Sequence, residues 1–343
     1  MERKLLALSI CVLLLLSCAT ASQAAETDFT AAVEFFKGKD ITLIVPLGAG
    51  GGMDNAARIS APFLQELTGA RRVLVENMTG ASGVVAYNWL YESAERDGTV
   101  FCFGSHPSYN KFVQQADACN YDPSAFNYIG TVQHTSFCLT VHPDSPYADV
   151  EKFKSTNEFI IGGFAYNDSM SLYASITLKA MNISKPLLIG GYGTAANVLL
   201  AMAQGEVDGY TSPLDSLFRY VEGKQCVPVC VYSKERDTFW PNVPTIYELF
   251  DINDETRTLL ELMPESDRII FAPPEVPADR VAFLEKCVMD MFEKPEFREQ
   301  VIASTGYFSG ALNAAETTAV NDFTVANADS YLSLGDLLKQ YVK

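Results

Sequence analysis

Positive charge is scarce in this sequence. The chain has 343 residues, with 25 lysines and arginines against 42 aspartates and glutamates, which gives a formal net charge of −17 at pH 7. Nucleic acids and anionic membrane surfaces attract proteins through clustered cations. The composition therefore argues against both as partners, and it leaves few cations for holding an anionic ligand. Backbone amides at helix N-termini are the alternative source of positive potential.

Residue patterns for metals and for common enzyme sites are also missing. The three histidines, His106, His134 and His142, show no metal-ligand spacing with one another, and no Cys-x-x-Cys pair occurs. No Lys-Ser or Lys-Thr follows the glycine-rich segment, as a P-loop requires, and no Gly-x-Ser-x-Gly hydrolase elbow is present. We therefore expect no metal, no cofactor and no catalytic residue.

Only one long apolar run occurs, and it lies at the N-terminus. Arg3 and Lys4 precede residues 5–16, which are mostly apolar, and small residues follow. This order is typical of a secretory signal and is too short for a normal membrane span. We assign residues 1–25 to a signal peptide. Ordinary cleavage and a lipoprotein signal that lipidates Cys18 both stay open, and either predicts a periplasmic protein that touches the membrane only through such a lipid.

Six cysteines remain after Cys18, and the sequence leaves their redox state open. They are Cys102, Cys119, Cys138, Cys226, Cys230 and Cys287. An exported chain can form disulfides, but several of these residues lie in apolar, strand-like runs. A buried free thiol is the simpler interpretation there.

Strands alternate with helices along most of the mature chain. Runs such as ITLIVP and TVFCFG are separated by segments with apolar residues at helical spacing, and a second series begins at FIIGGF. This alternation predicts an α/β fold with mainly parallel sheets and right-handed crossovers. We expect two lobes flanked by helices, with residues 26–135 and 245–343 in the first and residues 136–244 in the second. The ligand cleft is expected between them.

The glycine-rich segment after the first strand is the strongest candidate for ligand binding. The strand ITLIVP runs into LGAGGGMD, where four glycines precede a helix that begins near Asp54. Glycines allow the backbone amides to converge at the helix N-terminus, which makes an anion site without a cationic side chain. The alternative is a tight turn needed only for packing. The ligand-binding residues that we assign to this loop are Gly48, Ala49, Gly50, Gly51, Gly52 and Met53.

Two further strand-to-helix loops are expected to meet the first one. Ser82 follows the second strand, and Ser105 and His106 follow the third. The carboxyl ends of parallel strands share one edge of a sheet, so these loops should converge there. Both serines are candidate hydroxyl donors to a carboxylate, although each would also serve as a helix cap. His106 is a candidate wall of the cleft, together with Tyr109 and Tyr210.

Five motifs in order resemble one family. They are VPLGAGGGMDNAAR, VLVENMTGASGVVAYNWL, ERDGTVFCFGS, YGTAANVLLAMAQGEVDGYTSP and PNVPTIYEL. In this order and spacing the chain resembles the solute-binding proteins of tripartite tricarboxylate transporters, also called the Bug family, over almost the whole mature sequence. The resemblance implies the type II periplasmic-binding-protein fold, in which two α/β lobes close on a small carboxylate-bearing solute.

The resemblance also implies partners. Members of the family hand their ligand to integral membrane permease subunits, and they hold its carboxylate largely through backbone amides and ordered waters. We therefore expect a small organic carboxylate as ligand, a permease as protein partner, and a monomeric receptor that is not an enzyme. A citrate-like acid, a dicarboxylate, an aromatic acid and an amino acid all remain open as ligands.

The second lobe offers candidates that face the first. Ser169 follows AYND at residues 165–168, where the family has a glycine-serine turn that touches the ligand. We expect Asp168 to cap the following helix and Ser169 to remain a ligand donor. Gly193 and Thr194 match a tyrosine-glycine turn of the family. Their amides are expected at the cleft.

Ser212 and Asp215 stand at the end of the strand VDGYTS and complete the predicted site. Asp215 has two interpretations. It is either a solvated residue that the dipole of the following helix favours, or a partner for an ammonium or hydroxyl group of the ligand. Our main hypothesis for the site is that backbone dipoles from both lobes, and not cationic side chains, hold the acid.

An enzymatic alternative stays open. The segment GAGGGM resembles a dinucleotide-binding fingerprint, and Glu76 ends the second strand, where a ribose-binding acid would be expected. Met53 stands at the third glycine position, however, and an exported chain has little access to nicotinamide cofactors. The alternative is an exported α/β enzyme, dinucleotide-dependent or hydrolase-like, that acts on a small acid.

Overall fold

Two five-stranded sheets with surrounding helices form the described part of the chain. The structure is a computed structural model that describes residues 28–114, 116–164, 168–263, 266–306, 308 and 310–341. The predicted signal peptide, Cys18 and residues 165–167 lie outside these ranges. Within them, no helix combines the length and the apolar character that crossing a bilayer requires.

The strands are named here in chain order. They are β1 Asp40–Val45, β2 Arg72–Asn77, β3 Val100–Gly104, β4 Asn127–Thr135, β5 Phe137–Val141, β6 Glu158–Gly162, β7 Lys185–Ile189, β8 Gly209–Pro213, β9 Val227–Val231 and β10 Ser266–Ala272.

The α-helices are α1 Thr30–Phe36, α2 Gly52–Thr68, α3 Val84–Glu92, α4 Pro107–Tyr109, α5 Val150–Ser155, α6 Ser169–Met181, α7 Ala195–Gln204, α8 Leu214–Glu222, α9 Ile246–Leu249, α10 Asp254–Leu262, α11 Ala278–Glu293, α12 Pro295–Thr305, α13 Ala314–Ala326 and α14 Ala328–Tyr341. One π-helical turn covers Asn110–Gln114, and short 3₁₀ turns cover Ala81–Gly83, Ala116–Ala118, Pro123–Ala125 and Pro146–Ala148.

Both sheets repeat the same strand pattern. The first has the order β2-β1-β3-β10-β4, and the second has the order β7-β6-β8-β5-β9. In the first sheet β1 is parallel to β2 and β3, whereas β10 is antiparallel to β3 and β4. In the second sheet β5 lies between β8 and β9 and is antiparallel to both, as β10 is to its neighbours in the first sheet. The predicted α/β fold with two mainly parallel sheets is confirmed.

The chain passes from one sheet to the other at Ser136. The extended segment before and after this residue forms β4 of the first sheet and β5 of the second. The chain returns between β9 and β10. Because β10 runs antiparallel to β3, its first residues lie at the edge where β1 and β3 end.

Apolar side chains cover both faces of each sheet. In β1, Leu43 and Val45 pack into one cluster with α2 and α11, and Ile44 packs into another with α3. This alternation follows from the two-residue period of a strand. The second sheet likewise has two clusters. One of these two clusters contains side chains of β5 together with side chains of α9, α10 and α14, such as Ile246 and Leu334.

Candidate ligand-binding site

The β1–α2 loop leaves uncapped amides at the start of a long helix. Gly51 occupies the N-cap position of α2 and has no side chain with which to cap it. No described residue accepts a hydrogen bond from the amides of Gly51, Gly52 or Met53. The first amides of a helix have no partner within the helix, so these are available to an outside acceptor. The predicted loop residues Gly48 and Ala49 are exposed beside them.

The side chain of Asp54, in the first turn of α2, holds this loop in place. Its Oδ2 accepts hydrogen bonds from the Gly50 amide at 2.8 Å and from Arg58 Nε at 3.0 Å. Its Oδ1 accepts one from Asn77 Nδ2 at 2.9 Å. The amide of Gly50, which the sequence predicted as a ligand donor, is thus already engaged by an internal carboxylate.

Asp54 is ionised in this setting. Burial raises the pKa of its carboxyl group, but the hydrogen bonds from Arg58, Gly50 and Asn77 outweigh burial and hold it below its ordinary value. The side chain is only 2% exposed. A buried negative charge therefore sits under the glycine loop, and the partly exposed Arg58 balances it.

The β2–α3 loop has an unusual backbone. Four consecutive residues have positive φ: Gly80 at 140°, Ala81 at 46°, Ser82 at 53° and Gly83 at 104°. Residues other than glycine rarely adopt such angles, and clusters of them occur at functional sites. Asn110 Nδ2 donates to the Ser82 carbonyl at 2.8 Å and holds this turn.

Ser105 and His106 lie where the sequence predicts, after β3, but both have internal partners. The Ser105 amide donates to Tyr87 Oη at 3.1 Å, and its hydroxyl lies 3.2 Å from the same atom. His106 is 4% exposed, and its Nε2 lies 3.2 Å from Asp267 Oδ2. His106 Nδ1 is buried without a partner among the described residues.

Tyr109 reaches from the first sheet into the second lobe. It packs with side chains of β5 and α6, and its ring lies 6.4 Å from that of Tyr331 on α14. Burial raises its pKa well above the ordinary value, and the nearby Tyr173 and Asp168 add to the shift. No described residue hydrogen-bonds to the Tyr109 hydroxyl. This residue joins the two lobes near the start of α6.

The second-lobe helices are capped by their own residues. Asp168 is the N-cap of α6 and accepts from the Ser171 amide at 2.7 Å, which confirms the predicted cap. Thr194 caps α7 by accepting from the Asn197 amide at 3.3 Å. Ser169, the first residue of α6, is half-buried.

The amides of Gly193 and Thr194, which the sequence predicts at the cleft, have acceptors within the protein. The Gly193 amide donates to the Phe164 carbonyl at 3.2 Å, and the Thr194 amide donates to the Tyr192 carbonyl at 2.9 Å. The turn closes on itself and on the end of β6, which consumes these donors. Both residues remain exposed, so a ligand contact through other atoms stays a prediction.

Asp215 forms an ion pair within the protein. It is 4% exposed and accepts a hydrogen bond from Arg268 Nη2, so the expected solvated residue is buried instead. Arg268 lies near the start of β10 in the first sheet, whereas Asp215 lies in the first turn of α8 in the second lobe. Ser212 is also buried, and its hydroxyl accepts from Tyr210 Oη at 3.3 Å.

Sequence motifs missed three residues of this region: Gln133, Asp267 and Arg268. Asp267 ends the acidic segment at residues 251–267, and Arg268 opens the apolar run RIIFAPP. A charged residue at the start of an apolar strand segment is rarely buried unless an opposite charge or a hydrogen-bond acceptor lies beside it. The position of Arg268 directly before IIFAPP could therefore have indicated a buried, paired arginine.

Helix α8 brings the lobes together at two more points. A side-chain carbon built on Gly52 would lie 2.9 Å from Ser216 Oγ, so the glycine loop touches this helix. One built on Gly306, directly after α12, would clash with the Phe218 ring. The glycine loop before α2 and the C-terminal end of α12 therefore both contact α8.

Potential metal ligands do not cluster in the described ranges, and the cysteines there are free thiols. No group of three or more His, Cys, Asp or Glu residues there could hold a metal ion. The six cysteines are free and buried. Burial raises their pKa values, to about 12 for Cys230 and Cys287.

Comparison with known sequences places this fold in a family. The profile described as the tripartite tricarboxylate transporter family receptor matches residues 57–320, which is more than half of the chain. The chain belongs to this family. The prediction made from the five motifs is confirmed, and the family consists of extracytoplasmic solute-binding proteins.

Sequence relatives of this receptor are distant. A UPF0065 protein of Bordetella pertussis, strain Tohama I, is 22% identical over 273 residues, covering 79% of this chain and 81% of the relative. A UPF0065 protein from the tcbD-tcbE intergenic region of Pseudomonas sp. strain P51 is 22% identical over 219 residues, covering 63% and 65%.

Solved structures of similar fold are periplasmic binding proteins. BugD superposes with a TM-score of 0.69 at 19% identity, covering 89% of the receptor and 99% of BugD. MatC from Rhodopseudomonas palustris, solved with bound malate, gives 0.65 at 19% identity, covering 88% and 99%. A second R. palustris protein, solved with adipate, gives 0.68 at 19% identity, covering 88% and 97%. At this identity the likeness shows the shared two-lobe fold.

Proposed function

We propose that this receptor binds one small organic carboxylate between its lobes and delivers it, chemically unchanged, to a membrane permease. The observation that carries the proposal is the uncapped N-terminus of α2, with free amides at Gly51, Gly52 and Met53, in a member of a solute-receptor family. The malate and adipate in two proteins of similar fold support a carboxylate as the ligand class.

The proposed mechanism is capture followed by closure. A carboxylate accepts hydrogen bonds from the α2 amides, where the helix dipole also favours negative charge. We propose that the β2–α3 loop and residues 105–109 contact the ligand from the first lobe, and that Ser169, Gly193, Thr194 and Ser212 contact it from the second. Closure excludes water and strengthens each of these contacts. The closed shape is then the form that the permease recognises.

A thermal-shift panel tests ligand class. The panel contains malate, adipate, citrate, benzoate and glutamate, with glucose and NAD as negative controls. A ligand that binds only the folded state at 100 times its Kd stabilises it by about 2.7 kcal/mol. We expect at least one acid to raise the melting temperature by several degrees. A shift with glucose or NAD alone would contradict the proposal.

Turnover separates the receptor from the enzymatic alternative. The acid that shifts the melting temperature is incubated with the protein, and its NMR spectrum is followed for hours. We expect the acid to remain unchanged. Its conversion to a product, with or without added NAD, would favour an exported enzyme instead.

The exported form is part of the proposal. We propose that residues 1–25 direct export and that the mature protein is a monomer, either free in the periplasm or held by a lipid on Cys18. The intact mass of protein expressed with its own leader in a bacterial host distinguishes these forms. A diacylglycerol adduct on a chain that begins at Cys18 identifies the lipoprotein, and an unmodified chain that begins near residue 26 identifies the free form.

A further inference from the structure

One guanidinium group connects both lobes at the candidate site. Arg268 is 3% exposed, although it begins an apolar stretch of β10. Its Nε donates to Gln133 Oε1 on β4 at 3.0 Å. Its Nη2 donates to Asp215 and, at 3.3 Å, to Ser216 Oγ, both on α8. The charge is therefore buried at the junction of the two lobes.

The same guanidinium has donors left over. Arg268 Nη1 donates to none of the described residues, and Gln133 Nε2 beside it is buried without a partner there. A buried donor without an acceptor, such as Gln133 Nε2, costs stability, so it marks a place that suits an outside acceptor. Both free groups are donors. They suit an anion and do not suit an ammonium group.

These donors lie beside the uncapped helix. A side-chain carbon built on Gly52 would lie 3.1 Å from Arg268 Nη2 and 3.6 Å from Nη1. Gly52 and Met53 carry amides without partners among the described residues. A carboxylate at this point would meet a fixed positive charge and a helix N-terminus together, which is stronger than either alone.

Asp215 already uses one nitrogen, Nη2, of the Arg268 guanidinium group. It stands in the first turn of α8, where the helix dipole stabilises a carboxylate that has lost its partner. Asp215 is thus able to release or share Arg268 when another carboxylate arrives. Its negative charge also opposes that arrival, because like charges repel strongly in a buried site.

We propose that Arg268 is the side chain that binds the ligand carboxylate, and that Asp215 is its internal counter-ion, which competes with the ligand. The proposal rests on the proposed function and names the side chain by which the site selects acids. It replaces the expectation that backbone dipoles alone hold the acid.

Two substitutions with opposite effects test this proposal. Asp215→Asn keeps the side-chain shape and removes the competing charge, so we expect the Kd of the bound acid to fall about tenfold. Arg268→Gln removes the binding charge, so we expect the Kd to rise at least tenfold. The probes are the five acids of the panel, measured by calorimetry. Asp40→Asn and Arg71→Gln change the same charges in an exposed ion pair and should leave the Kd unchanged.

The outcomes separate the two proposals. Unchanged or weaker binding by Asp215→Asn would overturn the role of Asp215, because an ion pair that merely holds the lobes together predicts loss. Unchanged binding by a folded Arg268→Gln variant would overturn Arg268 and leave the carboxylate receptor standing. If Arg268→Gln does not fold, Asp215→Asn alone decides. If none of the five acids binds the unsubstituted protein, both proposals fail.

Discussion

Asp54 anchors the glycine loop through the amide of Gly50. Its carboxylate accepts three hydrogen bonds, from Gly50, Arg58 and Asn77, while the side chain itself is 2% exposed. Asp54→Ala leaves the Gly50 amide and the Asn77 side chain without this acceptor. Asp54→Asn keeps the shape, but its amide group must face at least one of the three donors.

The expected loss of stability follows from these contacts. A hydrogen bond to a charged group contributes about 1.5–3 kcal/mol, and contributions around one carboxylate are not additive. Arg58 is half exposed, which lowers its share. We therefore expect Asp54→Ala to lower the free energy of unfolding by about 3 kcal/mol and Asp54→Asn by about 2 kcal/mol. For a chain of this size, with an unfolding entropy of about 0.7 kcal/mol/K, that corresponds to a fall in Tm of about 3–5 °C.

Urea unfolding of the mature chain measures this effect. Asp40→Asn is the matched control, since it also removes one carboxylate paired with arginines, Arg71 and Arg72, but at the surface. We expect the control to change the free energy of unfolding much less than Asp54→Ala does, because solvent screens an exposed ion pair. If Asp54→Ala is as stable as the control, Asp54 does not organise the loop and the argument fails.

The same carboxylate predicts a pH dependence. The folded pKa of Asp54 is lowered relative to the unfolded value of about 3.9. Between the two values the unfolded chain binds more protons, so the contribution of Asp54 is complete above pH 4 and is lost as pH falls through the folded pKa. The stability gap between the unsubstituted protein and Asp54→Asn should therefore narrow in acid. A gap that stays constant from pH 7 to pH 3 would contradict this.

Three further predictions concern packing. Gly52→Ala should lower the free energy of unfolding by about 1–2 kcal/mol, because the new side-chain carbon contacts α8. Gly51→Ala should lower it by about 0.5 kcal/mol or less, because its new carbon would lie 3.5 Å from the nearest atom. Equal effects of the two substitutions in urea unfolding would contradict the contact with α8. Gly306→Ala should lower the free energy of unfolding by about 2–4 kcal/mol, because φ at this residue is +89° and the Phe218 ring occupies the place of the new carbon. An unchanged free energy of unfolding would show that α8 and α12 do not pack there. A chain that begins at residue 26 should not react with Ellman's reagent until it is denatured, since burial raises the pKa of Cys230 to about 12; rapid labelling of the native protein would contradict the burial.

Local patterns predicted much of the fold. Alternating apolar runs located the strands around the glycine loop, and Asp168 was identified as a helix cap because its side chain needs only an amide three residues away. Such signals act within one turn or one strand. They are readable because the interacting atoms are also neighbours in the sequence.

The candidate site was predicted less completely. The three strand-to-helix loops of the first sheet were found, but the sequence did not indicate which of their amides would be free. Gly50 donates to a carboxylate four residues away, and Gly193 donates to Phe164 across the sheet edge. Each amide competes for acceptors that folding brings close, and motif spacing carries no information about that competition.

The sequence by itself determined the family, the alternation of strands and helices, and the uncapped glycine turn before α2, because each is written in short segments. Only the tertiary structure decided which charges meet. Arg268 and Asp215 are 53 residues apart, and His106 and Asp267 are 161 apart. These pairs form because two sheets bring the start of β10 against β3 and α8, where a buried charge is stable only beside its partner.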